Sequence, residues 1–176
     1  MILKQASKEA VKYAILKWHY SKSVPSVQAA YAVFNDDAEF CGVICFAIGA
    51  NTNIASPFGL DRGEVVELVR VSLNGRQGQT SKALSIALRM FHKNNPLVKA
   101  IVSYADEAQG HHGGIYQATN WLFVGDSISR VILADGKMVH AKTYHSLHGT
   151  QKGAVTVKCK PKHKYVYIFD AELKKR

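Results

Sequence analysis

The sequence predicts a mixed α/β fold, with one central sheet and helices on its faces. Segments with helical apolar spacing interchange along the chain with short β-branched or alternating ones. Turn signals separate them at short intervals, and neither an internal repeat nor a low-complexity tract intervenes. A hydrophobic share of 47% with 20% charged residues suits a globular chain, and 176 residues suit a single domain spanning residues 1–176.

The elements follow in order. Ser7 can cap a helix whose apolar stripe is Val11, Ala14, Ile15 and Trp18, ending before Pro25. Val27 to Phe34 and Phe40 to Ile48 read as strands around the acidic turn Asn35-Asp36-Asp37. After a polar loop, Asn51 to Gly63, comes the β-branched strand Glu64 to Leu73 and a Gly-containing turn, Asn74 to Gln79. Thr80 or Ser81 then caps a helix with Leu84, Ala87, Leu88 and Phe91 on one face, stopped by Asn94-Asn95-Pro96. Lys99 to Ala105 is a strand, Asp106 to Gly114 a loop, Ile115 to Asn120 a short helix and Trp121 to Val124 a strand. Asp135-Gly136 is a hairpin turn between Ser129–Leu133 and Lys137–Lys142, and Ala154–Cys159 and Lys164–Phe169 are the last strands.

Composition narrows the class of protein. The longest near-continuous apolar run, Gly42 to Ala50, is about half of the ~20 residues a membrane-spanning helix needs. No basic-then-apolar leader opens the chain, and Cys41, Cys45 and Cys159 form neither an even framework nor a CxxC pair. These features predict a soluble cytoplasmic protein. The net charge of +10 sits wholly at the two ends: residues 1–25 carry +4, residues 151–176 carry +6, and the middle sums to zero. Such an excess suits a polyanion, and lysine outnumbers arginine at both ends, which suits backbone contact more than base reading. A solvated pair of lysine-rich termini is the plainer explanation of the same charge.

Several groups of residues can carry chemistry. The turn Asn74 to Ser81 sets Arg76, Gly78, Thr80 and Ser81 at a helix N-terminus, where unpaired N–H groups can hold a phosphate. It matches neither GxGxxG nor the Walker loop, and a well-capped helix after a tight turn also explains it. Ser103-Tyr104-Ala105-Asp106 ends a buried strand and runs into Gly110-His111-His112-Gly113-Gly114-Ile115-Tyr116, where α/β sheets place ligands. There Asp106 suits a general base and Tyr116 a proton donor. The bland alternatives are a turn Asp and a packed Tyr with its hydroxyl in water. His111-His112 has no Cys or carboxylate at ligand spacing, and His140, His145 and His148 are weakly spaced, so no metal site is assigned and a metal requirement stays open. His19 and Tyr20 close the first helix. In Glu67-Leu68-Val69-Arg70, strand alternation puts Glu67 and Arg70 on opposite faces, and Arg70 needs a carboxylate or an anionic ligand.

Those same motifs resemble the Mom family of phage DNA-modification proteins. The likeness lies in Trp18-His19-Tyr20-Ser21-Lys22, in Glu67-Leu68-Val69-Arg70, and in Ser103-Tyr104-Ala105-Asp106 with Ile115-Tyr116-Gln117-Ala118-Thr119-Asn120-Trp121. It continues through His140-Ala141-Lys142, His148-Gly149-Thr150 and Lys162-His163-Lys164-Tyr165-Val166-Tyr167, in the same order over nearly the whole chain. The resemblance implies a GNAT-like fold and conversion of adenine in double-stranded DNA to a carbamoylmethyl derivative, which shields DNA from restriction in the bacterial host cell. It puts functional positions at Arg70, Asp106, Tyr116, His19 and Tyr20. Lys17, Lys22, Tyr104, His111, Lys160, Lys162 and Lys164 are then the expected nucleic-acid contacts, and Tyr104, Tyr20 or Trp121 can stack on an extruded base.

The GNAT pyrophosphate loop reads Arg/Gln-x-x-Gly-x-Gly/Ala, whereas Arg76-Gln77-Gly78-Gln79-Thr80-Ser81 places its glycine early and ends in hydroxyls. Acyl transfer also leaves a carbonyl on the adenine nitrogen, whereas a carbamoylmethyl group has a methylene there. That unit has the skeleton of glycinamide, so the expected donor is either acyl-CoA or a glycine-derived activated species, of which an aminoacyl-tRNA is one form. The competing readings are a GNAT-type N-acyltransferase acting on a protein or small-molecule amine, and a DNA-binding protein without catalysis.

Overall fold

The computed structural model describes residues 1–49, 51, 53–127, 130–134, 137–150 and 152–175. In chain order the strands and helices are β1 (Ile2–Gln5), α1 (Lys8–Trp18), β2 (Ala29–Phe34), β3 (Phe40–Ala47), β4 (Val65–Leu73), α2 (Thr80–Asn94), β5 (Ala100–Asp106), α3 (Gly114–Gln117), β6 (Leu122–Ser127), β7 (Arg130–Ala134), β8 (Lys137–His140), α4 (Ala141–His148), β9 (Val155–Lys158) and β10 (Lys162–Ile168). The mixed α/β class read from the sequence is the observed one. The described residues fall into two compact units, Met1–Ser103 with Gly114–Leu122 and Tyr165–Arg176, and Tyr104–Gly113 with Phe123–Lys164.

In the first unit the strand order is β1-β2-β3-β4-β5-β10. The pairs from β1 to β4 are antiparallel, and β4 and β5 are parallel. Alternation along the strands sends Ala30, Val43 and Cys45 to one face, where Val11, Ala14 and Ile15 of α1 cover them. Tyr31 and Phe46 point to the other face, and Phe91 of α2 stacks on Phe46 with ring centroids 4.5 Å apart. Ser7 caps α1 as expected, its hydroxyl accepting the Ala10 N–H at 3.2 Å. In the second unit β6 lies beside β10, and a second sheet has the order β8-β7-β9, antiparallel throughout.

Some boundaries differ from expectation. β1 is too short and too weakly apolar to stand out in the sequence, and it forms by pairing with β2. Thr80 and Ser81 do not cap α2: Gln79 takes that position without a side-chain bond, and the Thr80 hydroxyl accepts the Gln77 side-chain N–H at 2.8 Å. The strand expected over 137–142 stops at His140, and Ala141–His148 is helical. Gly149 ends that helix with φ +70° and its N–H on the His145 carbonyl, a left-handed C-terminal stop that favours glycine. The Asp135-Gly136 turn lies outside the described residues, although Ala134 and Lys137 pair on either side of it. Among the described residues no helix is long and apolar enough to cross a membrane.

Candidate active site

Two departures from regular pairing shape the first unit's site. β4 and β5 pair only from Val65–Ala100 to Glu67–Val102, so the parallel strands part after Glu67. On its other edge β4 carries a bulge: Phe46 pairs with Leu68 and Cys45 with Arg70, leaving Val69 extra. The bulge shifts the alternation by one residue. Glu67, Val69 and Arg70 therefore all line one cavity of about 460 Å³, with Pro25–Gln28 and Ala47–Gly49 as its other walls. This corrects the expectation that Glu67 and Arg70 face opposite ways, which assumed an unbroken strand. Arg70 is held by backbone alone in the bonds seen here, to the Val69 carbonyl at 2.7 Å and the Ser23 carbonyl at 3.1 Å, while its buried Nε has no partner.

At the fork between β4 and β5, Ser103 is buried and donates its one hydroxyl hydrogen to the Leu68 carbonyl at 2.9 Å. The Tyr116 hydroxyl, 2.9 Å from the same oxygen, must then be the donor to Ser103. Tyr116 stacks on Tyr165 at 5.0 Å and packs on Trp121 at 5.1 Å, and Gln117 donates to the Tyr165 hydroxyl. Burial pushes the Tyr116 phenol up to about 12, reinforced electrostatically by Tyr20, Glu67 and Tyr165. So a protonated phenol, the Glu67 carboxylate and Tyr20 share one electrostatic neighbourhood. Tyr20 stacks on His19 at 4.4 Å, and His19 Nδ1 accepts the Ser21 N–H at 3.1 Å, which puts the proton of a neutral ring on Nε2. The Cys45 thiol beneath Arg70 is raised by burial to about 12 and is no nucleophile.

Asp106 belongs to the second unit. Its Oδ1 accepts the Ala108 N–H at 3.1 Å, and its Oδ2 lies 3.0 Å from Lys162 Nζ. Glu107 next to it stands 4.0 Å from Lys160 Nζ. Two of the lysines expected at nucleic acid thus have carboxylate partners within their own unit, a pairing that sequence separation concealed. Tyr104, His111 and Lys164 are also placed in this unit, His111 giving its backbone N–H to the Asp106 carbonyl at 3.2 Å. In the first unit Lys17 lies over the Tyr13 and Trp18 rings, at 5.1 and 5.8 Å, and Lys22 bonds the Lys17 carbonyl at the end of α1. Among the described residues no three His, Cys, Asp or Glu side chains converge as metal ligands.

The N-terminus of α2 fits an anion. Its first N–H groups have no side-chain cap, Thr80 and Ser81 open the helix, and the exposed Arg76 side chain stands beside the loop that holds Gly78, 3.7 Å from Glu39.

This architecture is that of the GNAT acetyltransferases. An acetyltransferase of Bacillus subtilis solved with CoA superposes with a TM-score of 0.57 at 11% identity, covering 96% of this chain and 98% of that one. An IAA acetyltransferase from Bacillus cereus gives a TM-score of 0.56 at 12% identity, covering 96% and 99%. Within that fold the chain belongs to the Mom protein family, whose model matches residues 1–176. The methylcarbamoylase Mom of Escherichia phage Mu is 29% identical over 140 residues, which are 77% of this chain and 58% of that protein. The chain thus spans less than two thirds of the relative's length.

Proposed function

We propose that this protein is a transferase that modifies DNA, placing a carbamoylmethyl group on the exocyclic amine of adenine and so protecting that DNA from restriction. The observation that carries the reading is the fork at β4, where the buried Tyr116 phenol, Glu67 and a cavity bearing Arg70 come together in a chain of the Mom family. The phage Mu relative's name, methylcarbamoylase, supports the chemistry, and the positive charge at the chain ends supports a polyanionic substrate.

In this reading Tyr116 keeps its proton at neutral pH and, turning its O–H from Ser103 to the leaving group, delivers it there, because a phenol raised to about 12 is a donor and not a base. Arg70 holds a carbonyl or anionic oxygen of the donor, and its unpartnered Nε is a further donor for that oxygen. Tyr20, stacked on His19, lies in the electrostatic surroundings of Tyr116, and Asp106 anchors its own loop and orients the amine. The donor is a glycine-derived activated species: transfer of its glycyl group puts the carbonyl on the adenine nitrogen and releases the carrier's hydroxyl, and an isomerisation of that N–C(O)–CH2–NH2 unit to N–CH2–C(O)NH2, which has the same atoms, must follow. An aminoacyl-tRNA would supply this donor and would use the basic termini. When an acyl-CoA binds, Arg76, Gly78, Thr80 and Ser81 are the residues to hold its pyrophosphate.

Nucleosides from plasmid DNA of cells expressing the protein, weighed beside an Asp106→Asn and a Tyr116→Phe control, test the reading. A new adenosine species absent from both controls supports it, and label from glycine in that species supports the donor. Unmodified nucleosides from well-expressed protein favour the second reading, an N-acyltransferase on a protein or small amine, to which the uncapped α2 N-terminus also lends itself.

A further inference from the structure

The β4 cavity has apolar walls in Pro25, Val27, Ile48 and Val69, with Glu67 and Arg70 the charged side chains of its lining. Its volume of about 460 Å³ lies within the ~300–1,000 Å³ of small-molecule sites. Gly49 lies against Glu67: a Cβ at this position would stand 2.6 Å from Glu67 Oε2 and 3.2 Å from its Cβ, and its φ of +77° is itself one that favours glycine. The chain therefore keeps side-chain bulk away from the Glu67 carboxylate at the end of β3.

We propose that Glu67 is the specificity-determining residue of this cavity: its carboxylate accepts an N–H from the exocyclic amine of a nucleobase lodged between the apolar walls, and so selects an amino-bearing base over a keto-bearing one. The inference rests on the DNA-modifying reading and names the residue that chooses the base. An ionised carboxylate has acceptors only. Adenine offers it the N6 amine hydrogens, whereas a keto base sets an oxygen against it and leaves two buried acceptors facing each other. Pro25, Val27, Ile48 and Val69 give the ring apolar contact, and among the polar side chains of the lining, Ser26, Gln28, Glu67 and Arg70, only an ionised Glu67 is limited to accepting a hydrogen bond.

The test uses the full chain and two duplexes in which adenine or hypoxanthine stands opposite an abasic site, so that extrusion costs little in either. Hypoxanthine carries a keto oxygen where adenine carries its amine. Wild-type protein should bind the adenine duplex about tenfold more tightly in direct competition. Glu67→Gln, which can turn an amide N–H toward the base, should bring the ratio below about threefold. Gly49→Ala, which keeps the charge but crowds the carboxylate, should narrow it as well, with thermal melts confirming that both variants fold. A tenfold preference kept by folded Glu67→Gln overturns the inference. Modified adenine is scored separately by nucleoside mass spectrometry. Wild-type protein that modifies adenine yet binds the two duplexes equally overturns the role of Glu67 alone, and absence of modified adenine counts against the DNA-modifying reading and takes the inference with it.

Discussion

The Tyr116 hydroxyl donates to Ser103 Oγ across 2.9 Å, and Ser103 passes its own hydrogen to the Leu68 carbonyl. The direction is forced, because Ser103 has one hydrogen and a buried carbonyl takes it. Ser103 therefore does two things at the fork of β4 and β5. It satisfies a backbone acceptor that has lost its neighbouring strand, and it fixes the orientation of the Tyr116 hydroxyl.

Tyr116 makes stability fall at alkaline pH. Its phenol is raised from about 10 to about 12 on folding, so the folded state holds the proton more tightly than the unfolded chain. That contribution is fully present below about pH 10 and is lost as pH rises through about 12, a swing of about 3 kcal/mol. Denaturant titrations of wild type and Tyr116→Phe at several pH values should show a gap that closes or reverses toward pH 12. Parallel curves would mean that Tyr116 titrates normally.

Ser103→Ala removes the bridge and leaves the Leu68 carbonyl and the Tyr116 hydroxyl unpaired. The expected loss is about 1–3 kcal/mol in a thermal or chemical melt. Ser103→Thr should restore much of that stability.

Asp106→Asn keeps the Ala108 contact and removes the charge that faces Lys162. The pair is partly exposed, so stability should change by less than about 1 kcal/mol. The freed lysine should strengthen DNA binding at low salt and steepen its salt dependence by about one counterion, measured by fluorescence anisotropy. Modification of adenine should nevertheless disappear if Asp106 orients the amine.

Phe91→Ala should cost about 3–5 kcal/mol, because the ring is fully buried and stacked on Phe46 at 4.5 Å. Its effect on DNA modification should follow the fraction folded, measured by melting, and should vanish when assays are run well below the transition. A loss of activity in fully folded protein would place Phe91 closer to the chemistry than its packing does.

Local periodicity, caps and turns in the sequence carry most of the fold. The stripe Val11, Ala14, Ile15 was enough to orient α1, and Leu84, Ala87, Leu88 and Phe91 to orient α2, because an amphipathic helix buries whatever face is apolar. Tyr116, Arg70 and the His19-Tyr20 pair stand out in the sequence as candidates, whereas Ser103 stands out only as part of a motif. Glu67 was misplaced for a definite reason. Side-chain alternation is a local rule, and it holds only while both strands advance residue for residue.

The amino-acid order thus determined which segments are helix or strand, the class of fold, and the charge at the two ends of the chain. Tertiary structure alone decided what faces what. The extra residue Val69, taken up opposite Cys45 and Phe46, turns Glu67 and Arg70 to one cavity, and the parting of β4 from β5 leaves Leu68 to Ser103 and Ser103 to Tyr116. Lys162 meets Asp106 because the chain returns there 56 residues later. A bulge or a long-range ion pair depends on the partner strand or loop, and no short window of sequence contains both partners.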